Sequence, residues 1–154
     1  MITTTQATNK YGIPSKNPNY LVTLQLPYPM RLSWDKNVKV NKMQCHKLVH
    51  DKFKSVFTEL LEVYGYEKIV ELGIDLFGGC FNFRAMRGGT APSRHSWGIA
   101  IDLDPERNQL KTQWSNAQFS KPEYKPMIDI FYKNGFVSLG KEKGFDAMHF
   151  EVKE

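Results

Sequence analysis

The sequence predicts an α+β domain: a small, mostly antiparallel sheet with helices packed on one face. Three observations predict it. The chain has 154 residues, 41% of them hydrophobic and 24% charged, the size and balance of one domain around one core. Helical spacing of apolar residues dominates the first half, and alternating strand patterns dominate the second. No internal repeat and no linker divides the chain.

Residues 1–19, MITTTQATNKYGIPSKNPN, are polar and read as a flexible N-terminal arm, leaving residues 20–154 as a single domain. YLVTLQL (Tyr20–Leu26) alternates, with Leu21, Thr23 and Gln25 opposite Val22, Leu24 and Leu26, so it is a strand. PYP then breaks it, because proline cannot donate to a ladder. MRLSWD follows as a second short strand or an extended loop. The clearest helix is expected from about Lys42 to Tyr64. Asn41 caps it, Gln44 closes a capping box, and Phe53, Val56, Phe57 and Leu60 recur at helical spacing. Gly65 stops it, and a shorter helix is expected over Glu67–Leu72.

In GGCFNFRAMRGGTAPS a strand is expected between two loops, with Phe81 and Phe83 facing one way and Asn82 and Arg84 the other. Residues 98–104, GIAIDLD, form the next strand. The stretch PERNQLKTQWSNAQFSKPEY is polar and irregular, the profile of a surface loop or lid. A helix over Lys125–Lys133 carries Met127, Ile130 and Phe131 inward and ends at Asn134–Gly135. FVSLG and MHFEVK are the last strands.

The formal net charge is +5, which favours anionic partners, an anionic cell-wall surface among them. The basic residues are dispersed, and no nucleic-acid motif accompanies them, so no nucleic-acid partner is expected. No run approaches the roughly 18–20 apolar residues of a membrane span, and the polar N-terminus does not read as a signal peptide. A product made in the cytoplasm is therefore expected, and a monomer. Cys45 and Cys80 are the only cysteines. They form no CxxC pair and read as free, partly buried thiols.

The chemistry sits in two stretches. In GIAIDLD, Ile99, Ile101 and Leu103 share one face, while Ala100, Asp102 and Asp104 share the other. Asp102 thus avoids the hydrophobic core. His95 lies in a turn upstream, beyond Gly98, which lets it fold back toward that polar face. In DAMHFEV, Met148, Phe150 and Val152 are the apolar face, with His149 and Glu151 opposite. Two neighbouring strands would then present Asp102 and His149 side by side. With His95 they make two imidazoles and a carboxylate, a three-ligand set of the kind a catalytic zinc site uses. Asp146, three residues before His149, stands at the mouth of its strand, placed to take a proton. Glu151 and Asp104 are candidates to support the ligands from behind.

Ser93, His95, Gly98, Ala100 and Asp102 spell S-x-H-x-x-G-x-A-x-D, and Asp146 and His149 spell D-x-x-H in the form DAMHFE. This pair of motifs resembles the VanY-like zinc peptidases, which include D-alanyl-D-alanine carboxypeptidases and dipeptidases and phage L-alanyl-D-glutamate endolysins. The resemblance covers about residues 77–152. It implies that His95, Asp102 and His149 hold one Zn²⁺ on the sheet face away from the helices, and that Asp146 is the general base. The family's arginine matches Arg84 best, with Arg87 the alternative. Ser93 is expected to help orient substrate, and Ser96 and Trp97 to line the cleft. The substrate implied is a peptidoglycan stem peptide. A small, basic chain suits an endolysin of the L-alanyl-D-glutamate endopeptidase type, held in the host cytoplasm until a phage pore releases it. The alternatives are a D-alanyl-D-alanine carboxypeptidase and a non-catalytic zinc-binding wall or virion protein.

HKLVH sets His46 and His50 at i and i+4, imitating a zinc helix, but the glutamate of HExxH is missing. Gly78, Gly79, Gly88 and Gly89 precede no GK[ST], so tight turns beside a cleft are expected rather than a phosphate loop.

Overall fold

The computed structural model describes residues 1–154. Its first large unit is a hairpin, β1 (Leu21–Leu32) against β2 (Asp35–His46), antiparallel from Leu21↔His46 to Leu32↔Asp35. Two expectations fail here. The Pro27–Pro29 segment does not end β1, because a register shift between Gln25 and Met30 absorbs both prolines and the ladder resumes. Residues 42–46 are strand rather than helix. Met43 and Cys45 are buried while Lys42 and Gln44 are exposed, a period of two, and backbone pairing to β1 satisfies their polar groups. A 3₁₀ turn, Lys47–Val49, follows, with His46 Nδ1 accepting the Leu48 N–H at 3.0 Å. Helix α2 begins only at His50 and runs to Tyr64, burying Phe53, Val56, Phe57 and Leu60. Helix α3 (Tyr66–Leu72) matches expectation within a residue.

The chain crosses one sheet face through α2 and α3 before it re-enters as β3 (Leu76–Gly79). That crossover brings β3 in beside β1 and parallel to it, Arg31↔Leu76 and Leu32↔Phe77. β3 pairs antiparallel with β4 (Ala100–Leu103), β4 with β6 (His149–Val152), and β6 with β5 (Phe136–Ser138). The order is β2-β1-β3-β4-β6-β5. The sheet is therefore mixed, which corrects the mostly antiparallel sheet expected from sequence.

Helix α4 (Lys125–Lys133) and α2 cover the face carrying Ile99, Ile101 and Leu103, all fully buried. Phe131 of α4 stacks on Phe150 of β6 with ring centroids 4.0 Å apart, and Phe53 of α2 lies 4.6 Å from Phe136 of β5. Each such side chain removed from water contributes about 1.5–3 kcal/mol, which pins β6 and thereby aims its other face.

Three shorter features depart from the sequence reading. Residues 4–11, expected as part of a flexible arm, form α1 (Thr4–Tyr11), with a complete capping box between Thr3 and Gln6 and with Ala7 and Tyr11 buried. Phe81 and Phe83 lie on no strand. Gly79 at φ 121° and a register shift end β3 before them, and only an isolated bridge, Ala85↔Pro92, follows. After β5, the Leu139–Lys143 segment is a short helix, α5, whose start is capped by Ser138 Oγ accepting from the Lys141 N–H at 3.2 Å. A Cβ at Gly140 would run into the Trp114 ring, so that close approach needs glycine. The polar stretch after β4 is irregular, as expected, with short 3₁₀ turns at Trp114–Asn116, Gln118–Ser120 and Pro122–Tyr124. Buried Asn108 holds it, donating to Asp104 O at 2.9 Å and accepting from Phe119 N at 2.8 Å. No helix is long and apolar enough to cross a membrane.

Candidate metal centre and cleft

β4 and β6 pair with Asp102 opposite His149 and Ala100 opposite Glu151. These four side chains point away from the apolar face, as the alternation requires. His95 arrives from a 3₁₀ turn, Arg94–Trp97. Ser93 caps it, its Oγ accepting the His95 N–H at 3.3 Å, and Gly98 closes it at φ 72°. A Cβ at Gly98 would stand 2.9 Å from the His46 backbone nitrogen, so only glycine brings the turn this close to β2.

One ligand-type atom from each of His95, Asp102 and His149 lies within 4.8 Å of the others. The two rings meet edge to face, centroids 4.9 Å apart. His95 Nδ1 sits 2.8 Å from the Cys80 carbonyl. A carbonyl can only accept, so Nδ1 carries the hydrogen and Nε2 has a lone pair. Nε2 is 3.2 Å from Asp102 Oδ2 but off hydrogen-bond geometry, which leaves it buried without a partner. An unpartnered buried nitrogen costs free energy, and a cation between it and the carboxylate removes that cost. His149 is held from both sides, Nδ1 3.2 Å from Asp102 Oδ1 and Nε2 3.0 Å from Glu151 Oε1. With Glu151 accepting from Nε2, Nδ1 is the nitrogen left to face Asp102 and an ion. The donor set fits a divalent metal of the zinc type.

Without an ion the electrostatics are those of a cation-binding site. Burial opposes ionising Asp102, but His95 and His149 beside it hold its carboxyl well below the usual range. Burial likewise opposes charging His149, yet hydrogen bonds to Asp102 and Glu151 outweigh it and raise its pKa. Asp102 and Glu151 thus favour positive charge at His149, as they would favour a bound cation.

The cleft above it has a volume of about 700 Å³, within the usual span of ligand sites. Asp146 lines it together with Asp102 and His149. It occupies the left-handed region at φ 60°, its N–H donating to Leu110 O at 3.0 Å and its carbonyl accepting from His149 N at 3.1 Å. Burial raises its pKa. The histidine charges and Arg87 pull the other way, against Asp102. Such a carboxylate takes up a proton more readily than an exposed one.

Arg84, Arg87 and Ser93 also line the cleft. The Arg84 backbone is fastened to the first motif: its N–H donates to Ser96 Oγ at 3.2 Å, and its carbonyl accepts from Ser93 N and Ser96 Oγ, each at 2.9 Å. Arg87 is the arginine whose charge acts on Asp146. Ser96 and Trp97 correct the expectation that they line the cleft. Both are fully buried, and Trp97 Nε1 donates to Gly12 O at 2.7 Å. Ser96 holds the Arg84 backbone in place from behind. Of the two candidate supports, Glu151 meets His149. Asp104 turns instead to Arg107, whose Nε is 2.7 Å from Oδ2. The Cys80 carbonyl, which orients His95, carries no signal in a side-chain pattern. Lys111 and Lys143, which also line the cleft, carry no such signal either.

The decoys resolve plainly. His46 closes β2 rather than sharing a helix with His50. It is buried, stacked on Tyr20 with centroids 4.4 Å apart, and donates through Nε2 to Tyr11 O at 2.7 Å. Cys45 and Cys80 are free and fully buried. Burial pushes the Cys45 thiol up to about 12 and raises Cys80 well above its ordinary value.

A family model described as D-alanyl-D-alanine carboxypeptidase matches residues 87–152. The match supports the VanY-like peptidase family. It spans His95, Asp102, Asp146 and His149, and Arg84 lies just outside it. No curated protein matches the chain. VanY-like proteins are zinc-type peptidases acting on peptidoglycan, and the His95–Asp102–His149 group can hold the ion that the family implies.

Proposed function

We propose that this VanY-like protein is a zinc-dependent peptidase of peptidoglycan stem peptides, of the endolysin type that cleaves between L-alanine and D-glutamate. The observation that carries the proposal is the unpartnered Nε2 of His95, buried beside Asp102 and His149 at a cleft that Asp146 also lines. His95, Asp102 and His149 would hold Zn²⁺, which would supply a nucleophile at neutral pH and a Lewis acid for the scissile carbonyl. Asp146 accepts the proton of the attacking water and returns it to the leaving amine. Burial favours the proton-taking half of that cycle. Arg84, with Arg87 beside it, offers a guanidinium to the carbonyl oxygen as negative charge develops there, and Ser93 orients the substrate chain.

Arg84, Arg87, Lys111 and Lys143 all line the cleft, which suits a peptide bearing several carboxylates. The endolysin reading places the protein in the host cytoplasm until a phage pore releases it. A D-alanyl-D-alanine carboxypeptidase is the second reading, favoured by the description of the matching family. Digesting purified stem peptides with the zinc-loaded protein separates the two. Cleavage between L-alanine and D-glutamate supports the first, and free D-alanine alone overturns it in favour of the second.

A further inference from the structure

Residues 1–4 have no part in the chemistry above, yet they line the cleft alongside Asp146 and His149. They are held there firmly. Ile2 is buried, and Thr3 exchanges hydrogen bonds with Gln6 at 3.1 and 2.9 Å to start α1. The far end of α1 is tied down as well. Tyr11 Oη donates to Glu154 O at 2.8 Å, and Gly12 O accepts from Trp97 Nε1 at 2.7 Å.

Arg94 makes the decisive link. Its Nε and Nη2 donate to the Ile2 carbonyl at 3.3 and 3.0 Å. Its Nη1 donates to Thr4 Oγ1 at 3.2 Å and to Pro92 O at 3.1 Å. The guanidinium carbon also lies 5.8 Å from the centre of the Trp97 ring. Arg94 stands between Ser93, which caps the turn, and His95, which faces the metal site. One side chain therefore fixes residues 2–4 relative to the candidate ligand. Thr4 Oγ1 accepts from Arg94, which leaves its hydroxyl hydrogen free to donate to a peptide carbonyl.

We infer that residues Ile2–Thr4 are a substrate-contacting wall of the cleft and that Arg94 is the positioning residue holding this wall in register with His95. The inference rests on the peptidase reading. A planar fork gripping one carbonyl and one hydroxyl at once is a task for arginine, and the point charge of lysine reproduces only part of it.

The test is steady-state kinetics on a soluble stem peptide, with bound metal and melting temperature measured on the same samples. Arg94→Ala is expected to raise KM about tenfold and to leave kcat within about twofold, with zinc content as in the wild type, the signature of lost binding rather than lost chemistry. Arg94→Lys should fall between the two. Thr4→Val, which keeps the shape of the side chain, should raise KM about threefold at unchanged kcat, and it decides the matter if Arg94→Ala does not fold. An unchanged KM in Arg94→Ala or, should that variant not fold, in Thr4→Val overturns the inference, as does a joint fall of kcat and bound zinc at constant KM. A zinc-loaded wild type that releases no peptide overturns the peptidase reading and this inference with it. An active wild type with an indifferent Arg94 overturns this inference alone.

Discussion

Replacing Glu151 tests the metal centre without touching a candidate ligand. Its carboxylate is buried and sits 3.0 Å from His149 Nε2. That contact fixes which imidazole nitrogen carries the hydrogen and which way the ring faces, and the negative charge makes Nδ1 a stronger donor to a metal. Outer partners of this kind are worth about 10- to 100-fold in metal affinity, or about 1.4–2.8 kcal/mol. Glu151→Ala removes both orientation and charge, so it should lie toward the larger loss. Glu151→Gln can still accept from Nε2 through its amide oxygen and loses only the charge, so it should lie toward the smaller one. The assay is competition for zinc against a chromophoric chelator at fixed pH, with circular dichroism to check that β6 remains paired. Equal zinc affinity in wild type and Glu151→Ala would refute the reasoning, because His149 would then be oriented by something other than its neighbour.

In the metal-free protein His149 has a raised pKa, so its contribution to stability is full below the ordinary imidazole range and is lost as pH rises through the raised value. Asp102 is depressed, so its contribution is present above the ordinary carboxylate range and is lost as pH falls. Chelated protein should therefore unfold more easily at both extremes. Zinc affinity should climb with pH, with release of about one proton per ion, measurable by calorimetry in buffers of different ionisation enthalpy; affinity flat across pH 6–9 would contradict it. A thiol reagent should label neither Cys45 nor Cys80 in the folded protein at pH 8 and both after denaturation, since burial raises both thiols. Phe131→Ala, which unstacks Phe150, should cost about 3–5 kcal/mol in chemical denaturation; a loss below about 1 kcal/mol would show that α4 does not hold β6.

The site was more legible in the sequence than the fold around it. Strict alternation in GIAIDLD and DAMHFEV put Asp102 and His149 on polar faces, and pairing of the two strands sets them opposite each other. Alternation is a local signal, and both strands obey it. The start of α2 lies later than the sequence suggests because Asn41 and Gln44 spell a capping box that the chain does not use, and only the long pairing with β1 decides for strand. The parallel placement of β3 depends on the whole α2–α3 crossover, which no window of sequence contains. α1 lies in a polar stretch with little apolar periodicity, although Thr3 and Gln6 spell its capping box, and Thr4 is bound by Arg94, ninety residues away. The cleft walls likewise come from segments far apart in the chain.

The central claim is that His95, Asp102 and His149 hold a zinc ion on which peptidase chemistry depends, with Asp146 as the base. The most direct measurement is release of peptide from purified murein, with bound metal quantified, for wild type and Asp146→Asn, before and after chelation and re-addition of zinc. The account predicts about one zinc per chain in both proteins, release by wild type that stops on chelation and returns with zinc, and release by Asp146→Asn slower on the order of 10²- to 10⁴-fold. Absence of stoichiometric metal, or release that ignores the chelator, would contradict it.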